Sequence, residues 1–482
     1  DVAQARNKAE RAQRIQWLSE GMLARHLYPD LTHATHEDEA EKRLYREFVT
    51  ARRTAEAASV FAHVKGADGG RYPLTGVGDV NTYALFAETI KKIVAPSGSA
   101  GFIVPSGLAT DNTTKEFFGS LISNKSLKSF FEFENEGFFL GAGQGHMLRF
   151  ALTTIVGAEN KVKETLFLFQ GRNIEELADK NRVFTLSPED IFQVNPNTRT
   201  CPIFRSRKDA EITKAIYSRS PVLIRESNKS KPEENPWGVR FLAMFHMSND
   251  SHLFKTKLEL EREGFNQEAN HFVQGKERYL PLYEAKMIYQ YNHRHGDFRD
   301  ARDGERSHVL PTIPAERLRD TSYLTLPYYW VPQNTVSNLL DDKSWKSDWL
   351  IGWREVTDAR ASIRTLVASV IPRAGANNKF LLMMPSTTAR QAAALLGNLC
   401  SITCDYISRQ KVGGLALNYF TMKQLPILAP NAYTNTNLAF IVPRVLELTY
   451  TAHDLSGWAQ DLGYDGEPFP FDPDRRATLR AE

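Results

Sequence analysis

The chain has 482 residues, a formal net charge of +3, 42% hydrophobic and 11% aromatic content, enough to fill the cores of two or three ordinary domains. No apolar run approaches the length of a membrane span and the first residues show no signal peptide, so a spanning helix is excluded and a cytoplasmic location is expected. Three cysteines, Cys201, Cys400 and Cys404, cannot build a disulfide framework, and so mild a basicity does not by itself announce nucleic acid.

Residues 5–27 and 38–63 carry helical periodicity, with Ile15, Leu18 and Met22 on one stripe and Leu44, Phe48, Ala55, Ala58 and Phe61 on the other. Tyr28-Pro29-Asp30 breaks the pattern between them, so residues 1–70 are expected to form a helical hairpin. His33 and His36, ahead of Glu37-Asp38-Glu39, suggest a metal site. No second ligand cluster accompanies them, and a charged helix start is the plainer reading.

Residues 71–160 change to helix, strand, helix, strand, strand. An amphipathic helix over 82–94 closes at Pro96-Ser97-Gly98, and residues 100–104 form a continuous apolar strand. A helix over 113–122 and strands over 127–133 and 148–156 follow, the last two expected as an antiparallel pair at a sheet edge. Residues 161–205 read as a polar linker and 206–435 as a mixed α/β domain, with a mobile loop at 227–234. Residues 436–482 return to helix. There Asp472-Pro473 signals a helix start close to the last residue, and with Asp1 in place of an initiator methionine both ends are expected to be cuts through a longer protein.

Chemistry concentrates in 79–156. A helix with Asn81, Tyr83 and Phe86 on adjacent turns precedes a buried strand ending at Pro105-Ser106-Gly107, and ligands of open α/β sheets gather outside the carboxyl ends of strands. The loop over 135–145 sets Phe138 and Phe139 beside small residues that leave a cleft. This order of N-x-Y-x-x-F helix, G-x-I-V-P strand, helix, F-E-F strand and G-F-F loop resembles the DNA N6-adenine methyltransferases of restriction–modification and phage-defence systems, especially the large fused methylase–specificity (type IIG) proteins.

The resemblance implies an α/β fold: the rear part of a class I methyltransferase sheet, a helical hairpin, and a mixed α/β DNA target-recognition domain. It implies S-adenosylmethionine as cofactor, with Phe86 on its adenine ring and Asn81 beside it, and Phe138 or Phe139 stacked on a target base flipped out of double-stranded DNA. The family's donor-binding Gly-rich loop and its Asn-Pro-Pro-aromatic catalytic loop are not found, so no catalytic residue is assigned and this chain alone is not expected to methylate. Gly141-Ala142-Gly143-Gln144-Gly145 has cofactor-loop spacing but leads into a strand pattern, and Asn235-Pro236-Trp237 lacks the second proline.

Segments 235–254, 280–298 and 395–428 resemble the same family's recognition parts. From them Lys286, His293, Arg294, Arg409, Gln410 and Lys411 are expected at DNA, as basic and amide groups beside tyrosines suit phosphate positioning and base reading. Glu284-Ala285-Lys286 has the E-x-K form of nuclease sites without an evident carboxylate partner. Two further readings remain: a non-catalytic specificity subunit docking on a separate methylase or nuclease subunit, and a protein-interaction scaffold.

Overall fold

The computed structural model describes residues 2–5, 8–29, 38–65, 69–140, 149–227, 231–299, 310–359, 361–412 and 414–482, so His33, His36 and the 141–145 glycines lie outside the described residues. The chain divides into two compact units, residues 1–94 with 246–252, and residues 95–245 with 253–482. No helix among the described residues is long and apolar enough to cross a membrane.

In the first unit the helix Lys8–Glu20 turns through Gly21, whose φ of 71° and closeness to the Asp38 backbone leave no space for a side chain. Asp38 caps the helix Glu39–His63 by accepting from Ala40 N at 2.7 Å, and the Glu41 carboxylate accepts from Leu23 N and Ala24 N, closing the start of the short helix Leu23–Leu27. Helices form in both expected stretches, but the expected apolar stripe of the second is not an inner face. Leu44 and Phe61 are 55% and 61% exposed, and within the long helix only Ala62 is buried. At about 1.5 Å per residue the first helix is roughly half the length of its neighbour, so it cannot cover the whole stripe. A fourth helix, Thr82–Ile93, follows a turn held by the fully buried Glu88 carboxylate, which accepts from Thr75 N at 3.0 Å and Thr75 Oγ1 at 2.7 Å.

The second unit opens with a five-stranded sheet. Its strands are β1 (Ser99–Pro105), β2 (Leu127–Glu134), β3 (Arg149–Val156), β4 (Thr165–Gly171) and β5 (Phe184–Leu186), in the spatial order β1-β3-β2-β4-β5. β3 runs antiparallel to both neighbours, β4 parallel to β2, and β5 antiparallel to β4. The β2–β3 pair is antiparallel as expected, but it lies inside the sheet rather than at its edge. The reason is β4, which the sequence reading had assigned to a linker. T-L-F-L-F-Q-G is an apolar strand whose charged flanks, Lys161 to Glu164 and Arg172, mask it in a composition average. One face of the sheet is sealed by the helix Lys115–Ser123, with Phe118 edge-on to Phe130 at 6.2 Å and Phe167 and Phe169 stacked beside them, all fully buried.

The remaining strands are β6 (Arg240–Leu242), β7 (Asn266–Glu268), β8 (His271–Gln274), β9 (Glu277–Tyr283), β10 (Trp330–Pro332), β11 (Trp349–Arg354), β12 (Ala368–Pro372), β13 (Gly375–Ala376) and β14 (Phe380–Met384). They build two sheets, β12-β11-β14-β6 and β10-β9-β8-β7, with β13 added parallel to β9. The helices Ala389–Leu399 and Asn435–Thr449 pack on one another, and Asp472 caps Pro473–Ala481 as its Asp-Pro signal predicts. The chain is thus mixed α/β with three sheets among the described residues.

Candidate nucleic-acid interface

The loop after β2 is built by one side chain. Asn135, 3% exposed, accepts from Phe139 N at 2.8 Å and donates to Phe139 O at 3.2 Å, so a single amide closes the turn through Gly137 at φ 97°. The ring of Phe138 turns inward, 5.5 Å from Phe133 and 5.3 Å from Phe150. Phe139 rests edge-on against Phe150 at 4.9 Å and stays 42% exposed. Of the two candidates for base stacking, Phe138 is thus held among core rings while Phe139 offers a ring to solvent from a fixed backbone.

Beneath this loop lies a buried ion pair, Glu132 with Arg149 at 3.4 Å. Burial pushes the Glu132 carboxyl above its ordinary range although Arg149 opposes the shift. Burial also raises Asp111, against Thr110 and Arg149. The segment 105–111, expected to open a pocket, is filled by its own short helix Gly107–Thr110, with Leu108 and Ala109 fully buried.

In the first unit Phe86 is 67% exposed, and the Asn81 carbonyl oxygen caps its own helix at Tyr83 N. An exposed ring suits stacking, whereas the Asn81 side chain serves helix geometry.

The basic candidates behave differently. Arg294 is wholly buried; its guanidinium donates to the carbonyls of Leu318 (2.9 Å), Asp320 (3.0 Å), Tyr323 (2.9 Å) and Thr451 (2.6 Å). His293, 1% exposed, pairs with Asp454 at 2.9 Å. Burial raises the Asp454 carboxyl, but His293 and Arg294 outweigh it and hold it below the ordinary range. Arg409 donates to the carbonyls of Ala359, Ser362 and Ile363 at 2.6–3.1 Å. Gln410, 7% exposed, accepts from Thr213 Oγ1 at 2.6 Å. The Lys411 ammonium donates to Val194 O and Asn195 Oδ1 and lies 4.8 Å from the Tyr217 ring centroid; burial lowers it well below the usual lysine range. The side chains of His293, Arg294, Arg409, Gln410 and Lys411 thus all have partners within the chain, Gln410 as an acceptor, and each ties separate segments together. Lys286 is partly exposed, 3.6 Å from the buried Glu284 and 4.8 Å from the Phe298 ring centroid.

Two other motifs settle into the core. Asn235 closes a turn on Val239, and Trp237, 1% exposed, donates to Leu428 O at 3.0 Å. Cys400 and Cys404 are buried, and burial pushes the Cys400 thiol up to about 12. Sequence reading missed a polar cavity of about 390 Å³ at the carboxyl ends of β2 and β4, lined by Glu134, Gln170, Arg172, Glu176, Arg182 and Arg205. Its residues come from four separated stretches, and only the arginine directly after the β4 strand could have hinted at it.

No family model matches the chain, and no curated protein matches it. Among solved structures it is similar to the type IIG restriction endonuclease BpuSI, at 12% identity over 90% of this chain and 52% of that one, with a TM-score of 0.27. It is also similar to the type IIL restriction–modification enzyme MmeI in complex with DNA, at 11% identity over 86% and 51%, TM-score 0.38. A third is the ATP-dependent type ISP restriction–modification enzyme LlaBIII bound to DNA, at 10% identity over 89% and 28%, TM-score 0.33. The chain spans about half the length of the first two. At that level of likeness the overlap fixes neither fold nor activity.

Proposed function

We propose that this chain is the base-capture and target-recognition part of a site-specific DNA adenine-N6 methyltransferase of a restriction–modification or phage-defence system. The observation that carries the reading is Phe139, an uncovered ring on an Asn135-pinned loop at the carboxyl end of a sheet strand. N6 of a paired adenine is out of reach of a methyl donor, so the base must leave the duplex, and stacking on an aromatic face offsets part of the unstacking cost, by about 1–3 kcal/mol per base. A ring serving that purpose has to be held by its backbone and keep part of its face open; Phe139 is held through Asn135 and is 42% exposed. Phe138 supports it through Phe133 and Phe150.

The bare ring of Phe86 fits one face of the adenine of S-adenosylmethionine, which when bound supplies the methyl group. Asn81 fixes the start of the Phe86 helix. The loops that hold the donor's other end and polarise the target amine are not in this sequence, so on this reading methyl transfer requires a portion that carries them.

The test uses the whole chain with labelled duplexes, fully paired or carrying an unpaired adenine. Wild type should bind both at about 50 mM salt and weaken steeply towards 200 mM. Phe139→Ala should lose about tenfold in affinity for the unpaired-adenine duplex and little for the paired one. Equal, unchanged binding by the Phe139→Ala and Phe138→Ala variants would sink the base-capture assignment. With S-adenosylmethionine added, turnover comparable to an intact methylase would refute the need for the missing loops, and DNA binding without donor binding would favour a non-catalytic specificity subunit.

A further inference from the structure

We infer that the polar cavity at the ends of β2 and β4 is a phosphodiester clamp, in which Arg172 and Arg205 grip the backbone of the strand whose base Phe139 receives. This rests on the DNA reading above. The cavity starts at Glu134, the residue before the Asn135–Phe139 turn, and its other wall runs from Gln170 to Arg172 beyond the neighbouring parallel strand. The two strand ends touch, as a Cβ on Gly171 would come within 2.7 Å of the Phe133 ring, the same ring that supports Phe138. The arginines and the uncovered ring therefore stand on one end of one sheet.

The three arginines have different duties. Arg182 is fully engaged: it donates to Glu176 Oε2 at 2.9 Å and to the carbonyls of Phe169, Gln170 and Arg205 at 2.9–3.0 Å, which fixes the walls. Arg205 donates only its Nε, to Gln170 Oε1 at 2.8 Å, so its two terminal amino groups are held in place and left over. Gln170 makes that bond from a left-handed backbone at φ 54°, a conformation that costs a non-glycine residue about 1–2 kcal/mol. Arg172 is 66% exposed, with Nε 3.7 Å from both Glu134 Oε2 and Glu136 Oε1. That separation orients the guanidinium without using its donors in hydrogen bonds.

Arg182 is paired with Glu176 at 2.7 Å and Arg172 stands 3.7 Å from both Glu134 and Glu136, so Arg205 is the lining arginine that faces no carboxylate within 4 Å among the described residues. Among the described residues no aromatic or aliphatic side chain lines the cavity, and its polar groups suit a charged ligand better than a base. Two guanidinium groups at one cavity suit the bidentate recognition of a phosphate diester.

The experiment measures anisotropy of the full chain with a labelled duplex from about 50 to 200 mM chloride, for wild type, R172Q, R205Q, the double glutamine variant and R172K/R205K. Each lost phosphate contact should flatten the slope of log affinity against log salt by about 0.9, so the double glutamine variant should lose about 1.8. R172K/R205K should keep the slope at lower affinity, because charge stays and the fork is lost. Wild-type failure to bind duplex at the lowest salt would overturn the DNA reading and the clamp with it. Wild-type binding with an unchanged slope in a double glutamine variant of wild-type melting temperature would overturn the clamp alone. Inorganic phosphate binding that is lost in the double glutamine variant while the salt slope on DNA stays unchanged would make this a free-anion site and overturn the clamp.

Discussion

The loop after β2 and the end of the helix Ile402–Lys411 treat their polar and aromatic groups in opposite ways. In the loop, one buried amide satisfies the backbone and leaves a phenylalanine ring uncovered. In the helix, Arg409, Gln410 and Lys411 turn inward onto the segments around 359–363, 213 and 194–195, while Asp405 on the same helix accepts from Thr365 N and Leu366 N. Charge in a sequence shows that a donor exists. Whether it is available to a ligand depends on how many carbonyls the fold has left without partners nearby, since an unpaired buried carbonyl costs about 1–3 kcal/mol.

The sharpest way to break this contrast is Arg294→Met. It strands four carbonyls, those of Leu318 and Thr451 buried and those of Asp320 and Tyr323 partly so, and about 4 kcal/mol of stability should go, read as a lower urea midpoint. A variant that melts like wild type yet loses DNA would restore Arg294 as a surface contact.

Next in size is a pH effect. Burial, with Arg354 nearby, depresses His295 to about 4, so between that value and about 6.5 the unfolded chain binds the proton and the folded one does not. Unfolding free energy should therefore fall as pH drops through that window, by at most about 3 kcal/mol, and His295→Gln should remove that part of the slope. A variant whose urea midpoint follows the wild-type pH profile would show that His295 is not the group concerned.

Within the loop, Phe138→Ala should cost about 2 kcal/mol because it empties a site against Phe133 and Phe150, whereas Phe139→Ala should cost under about 1 kcal/mol. Reversed melting temperatures would exchange the two roles. Smallest of all should be Lys411→Met. The desolvated ammonium and its lost hydrogen bonds nearly cancel, leaving stability within about 1 kcal/mol of wild type and DNA affinity unchanged. A salt slope flattened in that variant alone would return Lys411 to the DNA surface.

Much of the local structure was legible. Strands 100–104 and 127–133 and the helix over 82–94 stand within a residue or two of their expected bounds, but 100–104, expected to be buried, is the largely exposed edge strand β1, because apolar content does not show how many neighbours a strand will have. What misled was averaging. Thr165–Gly171 disappeared among charged neighbours, and the stripe on Glu39–His63 looked like a core face because periodicity is silent about the length of the partner helix. The loop over 135–145 is expected from the sequence to carry base stacking, but which of its two phenylalanines is exposed could not be read there. Adjacent residues share a motif and differ only in which way the turn aims them.

The sequence by itself determined where chain segments become helix or strand, and which short loop joins a buried strand to two aromatic rings, because those follow from nearest-neighbour chemistry. Only the tertiary structure decided which donors are consumed. Arg294 meets carbonyls from positions 318 to 451, Lys411 meets position 194, and the Arg172–Arg205 cavity forms only where β4 lies against β2. Such encounters depend on contacts far apart in the chain, which no local pattern encodes.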